Sequence, residues 1–315
     1  MRPADFSLSC VVPAYNEAGH LAEFVRALHA AVSRIAPRHE ILIVNDGSRD
    51  NTGEIAAQLA RELPVRYLEL SRNFGKEAAL SAGIDHARGD AVLLIDGDFQ
   101  HPLELVPDML TQWKNGYDMV YGVIADRSFE SGGKRVGTSL FYRILNFSSR
   151  VPVPPNAGDF RLMDRKVVEA LRTLPERNRF MKGLYAWVGF RSVALPFVPA
   201  ARESGSSSFN LKGLAALALS GMTAFSTVPL RMWGVIGSLI SAVALVYGVY
   251  IIADAMLLGN PTPGWATLSA GLMLFSGIQL LSIGILGEYL GRVYEEVKHR
   301  PIYLLARDED GSPLK

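Results

Sequence analysis

The sequence predicts an α/β protein: a mostly parallel sheet with helices on both faces, followed by an interfacial helix and two transmembrane helices. Three observations predict it. Short apolar strands alternate with amphipathic helices through the first part of the chain. Every polar cluster falls just after a strand, and therefore on one edge of the sheet. Charged residues are plentiful before about residue 205 and scarce from there to about residue 287, a shift that divides the chain. The division predicted is a catalytic domain over 1–208, an amphipathic helix over 209–228, a two-helix hairpin over 229–290 and a tail over 291–315.

The elements follow in order. Leu8 to Pro13 is a short apolar strand, and a helix runs from about Ala18 to Ile35. Glu40 to Val44 is a second strand, ending at Asn45-Asp46-Gly47-Ser48. Asp50, Asn51 and Thr52 offer caps for a helix reaching about Glu62. Val65 to Leu70 is a third strand, and the loop Ser71 to Lys76 leads into a helix from Glu77 to about Ala87. Ala91 to Ile95 is five apolar residues in a row, the mark of a buried parallel strand. It stops at Asp96-Gly97-Asp98-Phe99-Gln100-His101, and Pro102 opens the next helix. Asn156 to Arg165 reads as loop, strand and helix start, with Asp164 as the helix cap. Glu176 to Gly189 is an aromatic-bearing helix or loop, and Arg191 to Val198 is the last strand of the domain.

Composition sets bounds. The chain has 315 residues and a formal net charge of +1, so it lacks the bulk signature of a nucleic-acid binder. Its one cysteine, Cys10, lies in an apolar run and reads as a core residue in a reducing compartment. Met1 to Ser9 carries no basic-then-apolar leader pattern, so the domain is expected to stay in the cytoplasm. No G-x-G-x-x-G follows the first strand and Asn73-Phe74-Gly75 is not a Walker loop, which argues against a dinucleotide dehydrogenase and an ATPase.

The polar clusters carry the chemistry. Asp96 and Asp98 leave a core strand one residue apart, and such hard oxygen ligands suit Mg²⁺ or Mn²⁺, which keep waters and share substrate phosphates. A polar turn capping the next helix is the other reading of the same residues. Asp46 offers acceptors to a nucleobase or ribose, or equally to its own turn. Arg72 and Lys76 reach for a diphosphate or are simply solvated. Arg135 and Ser139 stand four apart on an expected helix, one face of which suits a phosphate. Asp159, behind a glycine, is a freer carboxylate than Asp164 and the better catalytic candidate.

Val12-Pro13-Ala14-Tyr15-Asn16-Glu17, Val44 to Asp50 and Asp96-Gly97-Asp98, spaced in this order, resemble glycosyltransferase family 2. That resemblance implies the Rossmann-like GT-A fold and an inverting, metal-dependent enzyme that uses nucleotide sugars. It implies that Pro13, Tyr15, Glu17 and Asp46 line the nucleotide pocket, and that Asp96 and Asp98 hold a metal on the diphosphate. Gln100-His101-Pro102, Gly158 to Arg165 and Arg202 to Ser206 resemble the polyprenyl-phosphate subgroup, of bactoprenol glucosyltransferase type, with dolichol-phosphate mannose synthase a more distant relative. By that resemblance Gln100 joins the metal site, and Arg127, Arg135 and Ser139 bind the lipid phosphate. Asp159 is the implied base, and Arg202 and Ser206 close over the diphosphate. The lysine often seen beside Ser206 in the family is missing here.

The apolar tail fits a lipid acceptor. Phe209 to Thr227 reads as an interfacial helix, and Leu230 to about Leu258 and Trp265 to about Tyr289 each read as a bilayer span. Lys212 and Arg231 precede the spans, Arg292, Lys298 and Arg300 follow them, and the connecting turn has no basic residue. The positive-inside rule then places both termini and the catalytic domain on the cytoplasmic side of the membrane. Arg300 to Leu305 is an extended apolar run expected to add as a strand to a neighbouring subunit, which predicts a homo-oligomer.

The sequence thus predicts transfer of a hexose, UDP-glucose being the favoured donor, to a polyprenyl phosphate, with GDP-mannose as the alternative. A processive synthase is disfavoured because no Gln-x-x-Arg-Trp precedes the spans. A non-catalytic scaffold is disfavoured by the intact Asp96 and Asp98 pair.

Overall fold

The computed structural model describes residue 2, residues 5–125, 157–177, 179–198 and 264–307, and the helical positions Leu239, Ile240, Val243, Val246, Tyr247 and Tyr250. The strands are β1 (Ser7–Ala14), β2 (Arg38–Asn45), β3 (Val65–Leu70), β4 (Ala91–Leu94), β5 (Met119–Ile124), β6 (Ala157–Asp164), β7 (Ser192–Phe197) and β8 (Leu305–Arg307). The helices are α1 (Leu21–Val32), α2 (Thr52–Glu62), α3 (Lys76–His86), α4 (Val106–Lys114), α5 (Arg165–Thr173), α6 (Met181–Trp187) and α7 (Trp265–Val297). The eight strands among the described residues join one sheet in the order β7-β5-β6-β4-β1-β2-β3-β8.

Side chains alternate between the two faces, as a period of two requires. Cys10 and Val12 of β1, Ile41 and Ile43 of β2 and Leu93 of β4 pack with Phe24, Leu28 and Trp113 on one face. Val11, Leu42, Val44, Val92 and Leu94 pack on the other face with Ala79, Leu80, Met181 and Leu184. The central runs of β1, β2 and β4 are apolar because both faces are covered there, each buried Val, Leu or Ile contributing about 1.5–3 kcal/mol. Cys10 is buried, as its apolar setting predicts. On α1 the buried residues Leu21, Phe24, Val25, Leu28 and Val32 form a helical stripe.

Strands β1 to β4 are mutually parallel, but β6 runs antiparallel between β4 and β5. The sequence reading placed no strand at Met119–Ile124. The reason lies in Gly122, where a Cβ would meet Phe197 Cε1 at 2.8 Å and Phe160 Cδ1 at 2.9 Å. A glycine inside a strand signals close packing as well as a break, and here two aromatic rings fill the space it leaves.

The tail differs from expectation too. Leu305–Arg307 pairs antiparallel with β3 of its own sheet, in register Leu70 with Leu305 and Glu69 with Arg307. Ser71 N donates to Leu304 O at 2.8 Å and Tyr303 Oη donates to Asp85 Oδ2 at 3.0 Å. The expected addition to a neighbouring subunit is therefore corrected: β3 is an edge strand of the same chain, and β8 covers it.

The expected two-span hairpin is not borne out among the described residues, where no helix is long and apolar enough to cross a membrane. α7 has 33 residues and reaches about 50 Å at ~1.5 Å each. Most of the first expected span lies outside the described residues, as does the expected interfacial helix.

Helix α3 lies close on β1 because Gly83 faces Val11, whose Cγ1 would stand 2.1 Å from an added Cβ. Gly83→Ala is expected to lower stability by about 1–3 kcal/mol despite alanine's better helix propensity, read as a lower urea midpoint.

Candidate functional site

The parallel strands β1, β2, β3 and β4 all deliver their carboxyl ends to one edge of the sheet, where ligands bind in open α/β folds. The antiparallel β6 delivers its beginning there instead. Its register pairs Leu94 with Arg161, so Asp159, two residues before Arg161, stands level with Asp96, two residues after Leu94.

The loops at this edge are tied together. Asp46 N donates to Ala14 O at 2.9 Å, Asn16 N to Ser48 Oγ at 3.0 Å, and Arg49 N to Asn16 Oδ1 at 2.9 Å. Asn16 takes a left-handed φ of 55°, which its local hydrogen bonds support. Asp50, not Asn51, supplies the cap of α2, its Oδ1 accepting from Thr52 N at 3.1 Å. The Asp46 carboxylate accepts from Phe74 N at 2.7 Å and from Gly75 N at 2.9 Å. Burial lifts the Asp46 carboxyl above its ordinary range, against the pull of those two amides. Asp46 thus clamps the β3–α3 loop, the turn role the sequence left open, while lying at the edge where a nucleotide would sit. Gly47 has a φ of +62°, and a Cβ there would lie 2.4 Å from Arg72 C, so the two loops touch backbone to backbone.

At the centre is Lys76, the first residue of α3. Its Nζ lies 2.7 Å from Asp96 Oδ1, 2.8 Å from Asp96 Oδ2 and 3.2 Å from Asp159 Oδ2. Although burial disfavours its charge, Asp96 and Asp159 together raise the Lys76 ammonium above its ordinary value. Burial alone would lift Asp159, but Lys76, Lys182 and Arg161 outweigh it and hold the carboxyl below the usual carboxylate range. Asp159 is therefore an anion at neutral pH, and its buried Oδ1 accepts no hydrogen bond.

Asp98 Oδ1 accepts from Gln100 N at 3.1 Å, and the turn between them sets Phe99 at a left-handed φ of 57° with its ring edge-on to Phe24 at 5.1 Å. Glu17 pairs with His20. Burial raises Glu17, His20 opposes that, and the charges of Asp98 and Asp96 add to the rise. Tyr15 is exposed at the rim, 41% accessible, and Pro13, one residue before the end of β1, pairs with Val44. Arg127, Arg135, Ser139, Arg202 and Ser206 lie outside the described residues.

Three neighbours were not singled out from sequence. His101 stacks on Phe160 at 4.7 Å and meets Phe197 at 5.8 Å; burial lowers its pKa, and its buried Nδ1 has no partner. Arg161, 3% exposed, donates to Gly158 O at 2.6 Å and lies 3.5 Å above the Tyr185 ring, so it fixes the peptide leading into Asp159. An arginine between Phe160 and Leu162 in an apolar strand was the available signal. Glu77, beside Lys76, accepts from Met181 N at 3.3 Å.

Among the described residues no three His, Cys, Asp or Glu side chains converge to hold a metal. Asp96 and Asp98 offer two hard oxygen ligands, a donor set that fits Mg²⁺ or Mn²⁺ completed by water and diphosphate oxygens rather than a protein-only cage.

Burial, reinforced by Asp159, pushes the Glu77 carboxyl up to about 7 from its ordinary 4.5. The folded state then holds this proton where the unfolded chain releases it, so stability is full below pH ~4.5 and falls as pH rises through about 7. Glu77→Gln is expected to flatten that loss, by up to about 3 kcal/mol at pH 8 and close to nothing at pH 4.5, measured as urea midpoints at the two pH values.

Comparison with known proteins agrees with this geometry. The model of the family "Glycosyl transferase family 2" matches residues 9–172. An uncharacterized glycosyltransferase of Synechocystis, sll0501, is 44% identical over 95% of this chain and 94% of its own. The SfII prophage-derived bactoprenol glucosyl transferase of Shigella flexneri is 43% identical over 97% of this chain and 99% of its own. The mannosyltransferase PcManGT of Pyrobaculum calidifontis, solved in complex with GDP-Man and Mn²⁺, shares the fold with a TM-score of 0.51 at 18% identity, over 90% of this chain and 87% of that one. The motifs at the edges of β1, β2 and β4 fall within the matched region, and this chain belongs to glycosyl transferase family 2, where it groups with the bactoprenol glucosyl transferases.

Proposed function

We propose that this glycosyltransferase moves glucose from UDP-glucose to a polyprenyl phosphate, with inversion, at the cytoplasmic face of a membrane. The observation that carries the reading is the meeting of Asp96, Lys76 and Asp159 at one sheet edge, in a chain 43% identical over nearly its whole length to a bactoprenol glucosyl transferase.

The roles follow from position. Pro13, Tyr15, Glu17 and Asp46 line the nucleotide side, and Lys76 serves the diphosphate. Asp96, Asp98 and Gln100 would hold Mg²⁺ or Mn²⁺, which supplies charge stabilisation for the leaving diphosphate. Arg127, Arg135 and Ser139 grip the acceptor phosphate, and Arg202 and Ser206 cover the donor. The bond from the anomeric carbon to the diphosphate breaks, its electron pair leaving with the nucleotide, while a phosphate oxygen of the acceptor forms the new bond from the opposite side. A phosphate monoester loses its second proton near pH ~6, so the nucleophile is already ionised at neutral pH. An Asp159 held as an anion therefore orients more than it abstracts, and Arg161 and Lys182 temper its repulsion toward the acceptor. Positioning supplies much of the rate.

Membrane association rests on α7. Leu268, Leu272, Leu280 and Leu290 are each 65–75% exposed, an apolar surface that suits lipid better than water. We place this helix, with the residues before it, in or against the bilayer, and both termini on the cytoplasmic side.

Transfer of radiolabelled sugar to undecaprenyl phosphate is the test. Label is expected from UDP-glucose in preference to GDP-mannose. Asp98→Asn should cut turnover ~10²–10³-fold with an unchanged melting temperature, whereas Asp159→Asn should keep measurable activity. Full transfer in excess chelator would end the metal-dependent reading.

A further inference from the structure

Lys76 occupies the place that a divalent cation on Asp96 would take. Its three N–H donors meet three carboxylate oxygens, two of Asp96 at 2.7 and 2.8 Å and one of Asp159 at 3.2 Å, so the ammonium is fully engaged. A Mg²⁺ or Mn²⁺ ion bound to Asp96 would lie ~2.0–2.2 Å from one of those oxygens and therefore within a few ångströms of Nζ. Two cations at that separation repel, and one pair of oxygens cannot serve both. One must leave.

We infer that Lys76 is a tethered cation that blocks Asp96 until a nucleoside diphosphate arrives, so that the metal is taken up with the donor and not before it. The inference rests on the metal-dependent reading above. The backbone under Lys76 is fixed, because Phe74 N and Gly75 N are both held by Asp46. The side chain can move: it is 46% exposed, and its four-carbon stem is flexible. A diphosphate supplies what the exchange needs, anionic oxygens to which Nζ can transfer and further hard ligands for the ion. Because metal and nucleotide share one displacement, each must strengthen the other's binding by the same factor. Asp159, released from Lys76, then turns its carboxylate toward the reacting groups only when donor is present.

The test is Mn²⁺ binding to the full-length protein, read from the electron paramagnetic resonance of free Mn²⁺, without nucleotide and with UDP after subtraction of Mn²⁺ bound by UDP alone. Wild type is expected to bind Mn²⁺ weakly alone and ~tenfold or more tightly with UDP. Lys76→Met and Lys76→Gln should each bind Mn²⁺ alone ~tenfold more tightly than wild type, with the UDP enhancement reduced. Unchanged nucleotide-free affinity in both variants, with Mn²⁺ and UDP still binding together, overturns the inference and leaves the proposed reaction standing. No Mn²⁺ binding to any of the three proteins, even with UDP, overturns both.

Discussion

The pairing of β4 with an antiparallel β6 is the constraint on which the site depends. Parallel strands alone bring the ends of β1, β2, β3 and β4 to one edge, with their turns and acids. A carboxylate from much later in the chain reaches that edge only if its strand runs the other way. The register of Leu94 with Arg161 then sets Asp159 across from Asp96, at a spacing one ammonium can bridge. A slip of one residue would turn Asp159 to the opposite face of the sheet. Arg161 guards against that slip from within, since its buried guanidinium has a carbonyl, a sulfur and an aromatic face as partners only in this register.

Much of this was legible in the sequence, for physical reasons. Apolar runs ending in polar turns gave the first four strands and the functional edge, because strands covered on both faces must be apolar and loops must not be. Asp96, Asp98, Asp46 and Lys76 were found because they follow such strands. What escaped depended on partners far along the chain. Strand β5 was hidden by Gly122, whose value lies in Phe160 and Phe197. His101 and Arg161 have roles only once the aromatic residues around them are folded together. The tail was read as extended, which it is, but its partner was sought in a second copy because nothing nearby in sequence could pair with it.

Local chemistry and long-range structure meet again at Asp46. The same carboxylate that a sequence motif marks for a nucleotide is spent on two backbone amides of the next loop. One residue can do both, since each oxygen keeps a second lone pair. The arrangement lets the loop carrying Lys76 be rigid at its root while the ammonium at its tip is free to exchange partners.

The closing strand has a consequence for how the protein is made. β3 emerges from the ribosome about 235 residues before β8, the segment that covers it. Until β8 has been made the nascent sheet has a bare rim, with β3 backbone groups awaiting their mates. Glu69 and Arg66 place charge on that strand, a guard against its being captured by another unfinished chain during the wait.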